Sequence, residues 1–280
     1  MDEGSAMGSK PLEAPPRGRK LLDVSHPLAL VIPYRDRPAH LERLLPHLAA
    51  YFAEDKIDRR IKVRALVIEQ ANALPFNRGR LNNIGYVLAR PICDYTCFHD
   101  VDYLPLWADF SYPAGPTRLI GEGAQDRPIR PGAPGTVRLD LERFFGAVVL
   151  FPNADFERIN GYSNDYWGWG YEDEELRERC RIEGLTIEHR PGRFLAKDHD
   201  HAGSKPDGTP SPAHARNARL FHRRLPRLEG EHLYRRDGLA NLTYRILERR
   251  SFAQAHAAGR ALPVEHVKVD FAGPEAVEIP

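Results

Sequence analysis

The sequence predicts an α/β protein with a mostly parallel central sheet flanked by helices. Apolar segments of strand length alternate with amphipathic segments of helix length, which is the pattern of repeated β-α-β units. The 280 residues suffice for one large domain, and neither an internal repeat nor a sharp change of composition marks a second one. We therefore expect a single domain over residues 25–280. Residues 1–24 are rich in Gly, Pro, Ser and charge, so we expect a disordered lead.

The first part of the chain carries the most regular pattern. Residues 28–33 form a continuous apolar run, typical of a strand buried on both faces. Residues 38–52 place apolar side chains at helical spacing and predict a helix packed on one face. Residues 61–69 alternate and are rich in β-branched side chains, which predicts a second strand. Asn77 can cap a helix that runs through Val87, and residues 94–99 predict a third strand.

The second part of the chain is less regular. Its predicted elements are, in chain order, an irregular excursion over 113–134, a strand over 144–151, a helix that opens at the acidic run 172–175 and ends at Gly184, a strand over 185–188, a mobile loop near 202–216, and strands over 239–247 and 264–271. Gly, Pro and Ser mark the loop, and Gly184 is a typical residue for ending a helix.

Composition excludes several classes of protein. Hydrophobic residues make up 42% and the net charge is +1, so there is no general field that would attract nucleic acid or membrane. No apolar run approaches the roughly 18 residues of a membrane helix. The three cysteines, Cys93, Cys97 and Cys180, cannot form a closed disulfide framework and lack zinc-type spacing. A reducing compartment is the simpler expectation.

The segment from Tyr166 to Leu176, Tyr-Trp-Gly-Trp-Gly-Tyr-Glu-Asp-Glu-Glu-Leu, is the most informative part of the chain. Gly168 and Gly170 let the backbone around Trp169 adopt positive φ and move. The acidic run opens a helix, whose dipole would keep these carboxylates ionised. A hinged aromatic ring beside a carboxylate suits a sugar, because the carboxylate can take a hydroxyl proton. The alternative is a buried Trp pair followed by an ordinary helix.

Two further clusters carry possible metal ligands. Asp100 and Asp102 follow the third predicted strand, at the edge of a parallel sheet where ligands bind, and hard oxygens suit Mg²⁺ or Mn²⁺. His199 and His201 alternate, so both imidazoles can chelate one ion. The alternative for the two aspartates is a chance turn, and the alternative for the two histidines is a solvated polar loop. Together with Asp102 the two histidines also match the ligand set of a non-haem iron oxygenase.

Arginines and an aromatic ring make up the third cluster. Arg35 and Arg37 follow the first strand directly and can offer paired donors to phosphate or to a nucleobase edge. Phe76 adds an aromatic face beside a further cation, Arg78. Alternatively, Arg35 and Arg37 are surface charges, and Phe76 is a hydrophobic staple at the start of a helix. The remaining basic clusters, such as 222–224, are expected on solvated faces.

These segments, in this order, resemble the β-1,4-galactosyltransferase family. The matching motifs are Ile32-Pro-Tyr-Arg-Asp-Arg37, Phe76-Asn-Arg78 with Asn83-Ile-Gly85, His99-Asp-Val-Asp-Tyr-Leu-Pro105, Asn160-Gly161, and Tyr166-Trp-Gly-Trp-Gly with Glu172-Asp173. The His-x-His pair and Asp237-Gly-Leu-x-Asn-Leu-x-Tyr244 are most similar to the branch that galactosylates xylose on proteoglycan core proteins. The resemblance runs from about residue 28 to residue 271, and six motifs in family order make it highly specific.

The resemblance implies a GT-A fold and an inverting, metal-dependent transferase that moves galactose from UDP-galactose to a sugar hydroxyl in β-1,4 linkage, with a xyloside as one possible acceptor. It implies Asp173 as the base, Glu172 as the residue that grips sugar hydroxyls, and Asp102, His199 and His201 as Mn²⁺ ligands. Trp169 would line the donor and acceptor pockets from a loop that closes. The residues implied for nucleotide-sugar binding are Pro33, Tyr34, Arg35, Arg37, Phe76, Arg78, Asp100, Val101, Asp102, Trp169 and Gly170. A UDP-sugar donor and a glycan or glycoside acceptor are the implied partners, without nucleic acid.

The chain departs from the family pattern at several positions. Glu174 follows the base where the family has Asp, Gly146-Ala147 replaces a Gly-Gly pair, and Phe144 occupies the position associated with choosing galactose or its N-acetylated relative. Another UDP-hexose or UDP-N-acetylhexosamine transferase is therefore the alternative, and a non-catalytic carbohydrate-binding protein is a further one. The lack of an anchor and of a disulfide framework suggests a bacterial, cytoplasmic enzyme; the alternative is a lumenal catalytic domain whose anchor has been removed.

Overall fold

The computed structural model describes residues 26–53, 61–125, 136–137, 144–196, 209–257 and 260–273. Its strands are β1 (Pro27–Tyr34), β2 (Lys62–Gln70), β3 (Tyr95–His99), β4 (Tyr103–Ala108), β5 (Thr117–Arg118), β6 (Glu122–Gln125), β7 (Thr136–Val137), β8 (Val148–Pro152), β9 (Glu188–His189), β10 (Gly192–Ala196), β11 (Arg245–Gln254) and β12 (Leu262–Asp270). Its α-helices are α1 (Pro38–Ala53), α2 (Arg78–Ala89), α3 (Asn153–Arg158), α4 (Glu172–Ile182) and α5 (Pro212–Gly230). Two short 3-10 helices cover Leu233–Arg236 and Leu239–Asn241.

The main sheet has eight strands in the order β11-β12-β2-β1-β3-β8-β5-β9. Its centre is parallel, since β1 pairs in parallel with β2 and β3, and β2 with β12. The flanking strands β8 and β11 pair antiparallel to their neighbours β3 and β12. A smaller sheet follows the order β4-β10-β6-β7. The predicted α/β architecture with a mostly parallel centre is confirmed.

Both faces of β1 are buried, which explains its continuous apolar sequence. Leu30 belongs to the core cluster on the face that α1 covers, and Val31 to the cluster on the face of α2. Each such side chain contributes roughly 1.5–3 kcal/mol on burial, before the entropy of ordering it. Gly85 lets α2 approach closely, because a Cβ atom there would lie 2.2 Å from Val31 Cγ1.

Three strand predictions were wrong in extent. The strand expected over 144–151 begins only at Val148, because the preceding residues form a tight turn. The strand expected over 185–188 shrinks to β9, because the Leu185 N–H donates to the Cys180 carbonyl and so completes the C-terminal cap of α4. Residues 239–241 are a 3-10 helix, and the late strand lies further on, in β11. β11 is exposed at the sheet edge, so no apolar alternation marks it.

The helix α5 was not predicted, and it overlaps the end of the expected mobile loop. Its signals are Ser211, whose Oγ accepts a hydrogen bond from the His214 N–H at 3.3 Å, and Pro212 in the first turn. Ser and Pro are typical both of helix starts and of loops, and this ambiguity caused the error. Residues 202–208 of the expected loop lie outside the described ranges.

The cysteines and the helices bear on the expected compartment and on the expected lack of a membrane helix. Cys93, Cys97 and Cys180 are buried free thiols. Within the described ranges, no helix combines the length and the apolar character that crossing a membrane requires.

Candidate active site

The candidate site lies at the carboxyl ends of β1 and β3, beside the start of α4. The turn after β1 carries Arg35 and Arg37, and the turn after β3 carries Asp100 and Asp102. The parallel pairing of β1 and β3 brings these turns together, since carboxyl ends of parallel strands meet at one edge. The first turn of α4 adds Asp173 to the same region.

Arg78 is the hub of the site. Its Nε donates to Asp100 Oδ1 at 2.6 Å, and its Nη1 donates to Asp173 Oδ1 at 2.6 Å. Glu172 Oε1 lies 3.7 Å from the same Nη1, and the guanidinium stands 5.8 Å from the ring centre of Tyr162. Burial alone would lower the pKa of Arg78, but Asp100 and Asp173 raise it well above its ordinary value. One buried cation therefore ties three carboxylates together.

The pKa of Asp173 is raised well above its ordinary value. Burial is the main cause, and the charges of Glu172 and Asp100 add to it, while Arg78 opposes the rise. Burial raises the pKa of Glu172 as well. For Asp173 and Glu172, desolvation therefore acts against the expected influence of the helix dipole and outweighs it. A carboxyl group with a raised pKa suits proton transfer.

A strained turn before β8 makes room for Asp173. A Cβ atom on Gly146 would lie 2.1 Å from Asp173 Oδ2, so only glycine fits at this position. Ala147 follows with φ +58°, a left-handed conformation that costs a non-glycine residue roughly 1–2 kcal/mol. The Val148 N–H donates to the Gly146 carbonyl at 2.7 Å, and the Asp100 N–H donates to the Ala147 carbonyl at 2.8 Å. The turn thus supports Asp173 and Asp100 at once.

The two indoles of the Trp-Gly segment have different environments. Trp167 is buried, whereas 47% of Trp169 is exposed. Gly168 and Gly170 have φ of +76° and +103°, so the expected positive φ at both positions is confirmed. The Gly168 N–H donates to the Phe76 carbonyl at 2.7 Å. The alternative of a buried Trp pair therefore holds for Trp167 alone.

The unpredicted helix α5 fixes the Trp-Gly segment from outside. The Asn217 side chain is buried, and its Nδ2 lies 3.2 Å from the Trp169 carbonyl and 3.0 Å from that of Gly170. The His214 ring lies 5.1 Å from the ring of Trp169 and 5.2 Å from that of Tyr171. Tyr171 itself has φ +73° directly before α4.

A buried ion cluster holds α4 against α5, and the position of Arg224 in it was misjudged from sequence. Glu175, in the acidic run that opens α4, is fully buried and accepts hydrogen bonds from Arg179 Nη2 at 2.8 Å, Arg224 Nε at 2.8 Å and Tyr166 Oη at 2.7 Å. Burial alone would raise the pKa of Glu175, but Arg179 and Arg224 lower it to about 2. Arg224, expected on a solvated face, is buried and also pairs with Asp237. Charge runs alone do not reveal which members are buried.

The arginines after β1 lie beside the Phe76 loop and the Asp102 turn. The Arg35 guanidinium stands 5.5 Å from the ring centre of Phe76, and its Nη1 donates to the Leu74 carbonyl. Arg37 Nη1 lies 3.9 Å from Asp102 Oδ2. The predicted residues Pro33 and Tyr34 are buried at the end of β1, with Arg35 next in the chain.

Only one of the three predicted metal ligands lies in the described ranges. Asp102 is buried in the turn after β3. His199 and His201 fall outside the described residues, as does the rest of 197–208. Strand β10 ends at Ala196, which pairs with Tyr103, the residue directly after Asp102. Within the described ranges, no cluster of three metal-ligating side chains occurs.

Tyr103, the first residue of β4, follows Asp102 directly and was not predicted as a site residue. Burial raises the pKa of its phenol, the charges of Asp102 and Asp100 raise it further, and Arg78 opposes them. Its place directly after Asp102 was the available signal. Val101 between the two aspartates is buried.

Two family models match the chain. The model described as the N-terminal region of glycosyl transferase group 7 matches residues 20–113. The model described as the N-terminal domain of galactosyltransferase matches residues 133–200. The first match covers the arginine turn and the Asp100 turn, and the second covers the Trp-Gly segment.

Relatives and solved structures are similar over most of this chain. β-1,4-galactosyltransferase 7 of Drosophila melanogaster is 32% identical over 230 residues, which are 80% of this chain and 64% of that protein. The chain thus spans less than two thirds of this relative. The crystal structure of the Drosophila enzyme's catalytic domain in complex with xylobiose has a TM-score of 0.64, 25% identity, and coverage of 89% and 95% of the two chains. A mutant of that enzyme in complex with manganese, UDP-Gal and xylobiose has a TM-score of 0.59 and 26% identity, with the same coverage. The expected GT-A fold is confirmed.

Proposed function

The chain belongs to the β-1,4-galactosyltransferase family of glycosyl transferase group 7, and from this premise we propose that it transfers galactose from UDP-galactose to a sugar hydroxyl with inversion. The observation that carries the proposal is the Asp173 carboxylate, which Arg78 holds at 2.6 Å in the first turn of the helix that follows the Trp-Gly segment. A positioned carboxylate can accept the proton of a sugar hydroxyl.

In the proposed reaction, Asp173 removes the proton of the acceptor hydroxyl while that oxygen attacks the anomeric carbon. The new carbon–oxygen bond forms on the face opposite to the departing UDP, so an α-linked donor yields a β-linked product. Glu172 grips sugar hydroxyls beside the base. Arg35 and Arg37 bind the phosphates, and Phe76 lies against the uridine. Arg78 Nη2 is buried without a hydrogen-bond partner in the described ranges, which leaves a donor for the bound substrate.

A metal ion supplies charge stabilisation to the departing diphosphate when it is bound. Asp102 would hold it together with His199 and His201. The Asp102 carboxylate is a hard oxygen donor in a buried turn, and its position beside the end of β10 fits a ligand shared with residues that follow that strand. Manganese is the proposed ion, because the related Drosophila structure holds it together with UDP-Gal.

Galactose is the proposed donor sugar, and a xylose-bearing glycoside is the proposed acceptor. By the family resemblance, Phe144 occupies the position associated with choosing the donor sugar, where an aromatic ring would leave little room for an acetamido group and so favours galactose. The related Drosophila structures hold xylobiose, which supports a xylose unit in the acceptor. The bacterial origin, the cytoplasmic location and the single-domain boundaries stay predictions.

The test is a donor panel with Mn²⁺, in which UDP release is measured with and without simple xylosides. We expect turnover with UDP-galactose that depends on the acceptor, and a β-configured product by NMR. No turnover with any UDP-sugar would contradict an enzyme. Turnover with UDP-N-acetylgalactosamine alone would contradict the galactose assignment.

A further inference from the structure

We propose that Gln70 is a positioning residue for the donor site, because its buried side chain sets the shape of the loop that presents Phe76. This inference rests on the proposed function. Gln70 is the last residue of β2 and is 2% exposed. Within the described ranges, its side chain forms hydrogen bonds to Asn72, Leu74, Pro75 and Asn77, none of which is a predicted site residue. Its effect on the donor would therefore be indirect.

The Gln70 carboxamide bridges both ends of the loop over residues 71–77. Its Nε2 lies within hydrogen-bonding distance of three acceptors, which share its two N–H groups: Asn72 Oδ1 at 2.9 Å, the Leu74 carbonyl at 3.1 Å and the Pro75 carbonyl at 3.0 Å. Its Oε1 accepts a hydrogen bond from the Asn77 N–H at 2.9 Å. Only a carboxamide of this length both donates to the carbonyls and accepts from the amide.

The same loop joins two parts of the candidate site. The Leu74 carbonyl accepts a hydrogen bond from Arg35, and the Phe76 ring lies under that guanidinium. The Phe76 carbonyl accepts a hydrogen bond from the Gly168 N–H of the Trp-Gly segment. A change in the loop therefore reaches the arginine turn on one side and the Trp-Gly segment on the other.

The loop also ends at the hub of the site. Asn77 caps α2, since its Oδ1 accepts a hydrogen bond from the Arg80 N–H at 2.9 Å, and Arg78 is the first residue of that helix. Without the bond from Asn77 N–H to Gln70, the cap would lose one of its anchors. The expected result is weaker binding of the nucleotide, because the loop would no longer be held in one conformation before binding.

The experiment measures the Kd of UDP with Mn²⁺ by calorimetry for the full chain and its variants. We expect Gln70→Leu to weaken UDP binding about tenfold, the scale of one lost polar contact. A double-mutant cycle with Phe76→Ala separates positioning from general damage. If Gln70 acts through the loop, Gln70→Leu should change the Kd less in the Phe76→Ala background than in the unaltered protein, and the remaining effect comes from the contacts of the loop with Arg35 and the Asn77 cap.

Two variants serve as controls. Gln70→Glu keeps the size and an acceptor oxygen but loses the donor group, so it should also weaken UDP binding about tenfold. It replaces Gln70→Leu in the experiment if that variant fails to fold. Asn153→Leu removes a carboxamide that bonds to the Cys93 carbonyl at 2.6 Å near the opposite end of β3, so it should lower the melting temperature without changing the Kd.

The outcomes distinguish this inference from the proposed function. An unchanged Kd in folded Gln70→Glu, or an equal loss in both Phe76 backgrounds, would overturn the positioning role alone. No binding of UDP to the unaltered protein would overturn the proposed function, and this inference with it.

Discussion

Arg78 and Asp173 share a hydrogen bond of 2.6 Å from Nη1 to Oδ1, although 95 residues separate them in the chain. The same guanidinium donates to Asp100, so the helix α2 is tied to the start of α4 and to the turn after β3. The proposed base thus has a buried cation as its direct partner. This pair governs the first three predictions.

Replacing Arg78 with lysine should lower kcat/KM about 100-fold. An ammonium group is a point charge and cannot bond to Asp100 and Asp173 together in the fixed geometry of a guanidinium. The matched control is Arg90→Lys, near the other end of α2, where an exposed arginine pairs with Glu157 at 3.0 Å. That change should leave steady-state kinetics and the melting temperature almost unaltered. Full activity in Arg78→Lys would contradict the hub role.

Asp173→Asn should abolish transfer and retain UDP binding, because the amide cannot take the hydroxyl proton while its oxygen can still accept the hydrogen bond from Arg78. The folded-state pKa of Asp173 is raised, so its favourable contribution to stability is present below the unfolded pKa and is lost as pH rises through the folded pKa. The variant lacks this titration, so the difference in unfolding free energy between the two proteins should shift in favour of the variant as the pH rises. Denaturant unfolding of both proteins at a series of pH values measures this shift. Retained transfer would remove Asp173 from the base role.

The acid limb of the pH profile of kcat/KM should have its midpoint at a higher pH than an ordinary aspartate would give. Asp173 must be ionised to accept a proton, and burial raises its pKa, so activity should rise with pH through a midpoint above the ordinary aspartate value of about 3.9. Steady-state rates in a series of buffers at constant ionic strength measure this midpoint. A limb at the ordinary value would show that Arg78 cancels the effect of burial.

Adding a methyl group at Gly146 and removing one at Ala147 should have opposite effects on the stability of the protein. Gly146→Ala places a Cβ atom 2.1 Å from Asp173 Oδ2, so it should displace the carboxylate, lower kcat strongly and cost about 1–3 kcal/mol of stability. Ala147→Gly relieves the left-handed conformation at φ +58°, and the greater freedom of glycine in the unfolded chain offsets part of that gain. We expect a stability change between zero and about +1 kcal/mol, with activity retained. Unfolding curves and rates of the two variants provide the comparison.

Breaking the ion cluster behind α4 should destabilise the protein. Arg224→Met leaves Glu175 buried with one cation fewer, and the loss should be about 3–5 kcal/mol. The pKa of Glu175 is lowered to about 2, so its stabilising effect is present above the unfolded value and fades as pH falls towards 2. Acid unfolding followed by circular dichroism should show this in the unaltered protein. The Arg224→Met variant should unfold at a higher pH.

Much of the fold was predictable from local sequence, and the reasons are physical. The strand β1 is marked by a continuous apolar run and α2 by the Asn77 cap, and both depend on neighbours in the chain. The start of α4 was clear for the same reason. In contrast, α5 was missed because Ser211 and Pro212 signal a helix start and a loop equally well.

The same distinction between local sequence patterns and long-range contacts applies to the residues of the site. Arg78, Asp102 and Asp173 are recognisable from the motifs in which they occur, since each motif is a short stretch of neighbouring residues. The cluster of Glu175 with Arg224 is not, because its ion pairs join residues 49 positions apart and no local pattern shows which charges are buried. Gln70 escapes notice for a similar reason: an ordinary polar residue at the end of a strand becomes informative only through its partners.

By itself, then, the sequence determined the α/β class, the order of the central elements and the residue types available for chemistry, because periodicity and motifs are local properties of the chain. Tertiary structure alone decided that Asp173 sits against Arg78 and Gly146, that burial raises its pKa, and that α5 holds the Trp-Gly segment. These features arise from desolvation and from contacts between distant segments. Both effects exist only once the chain has folded.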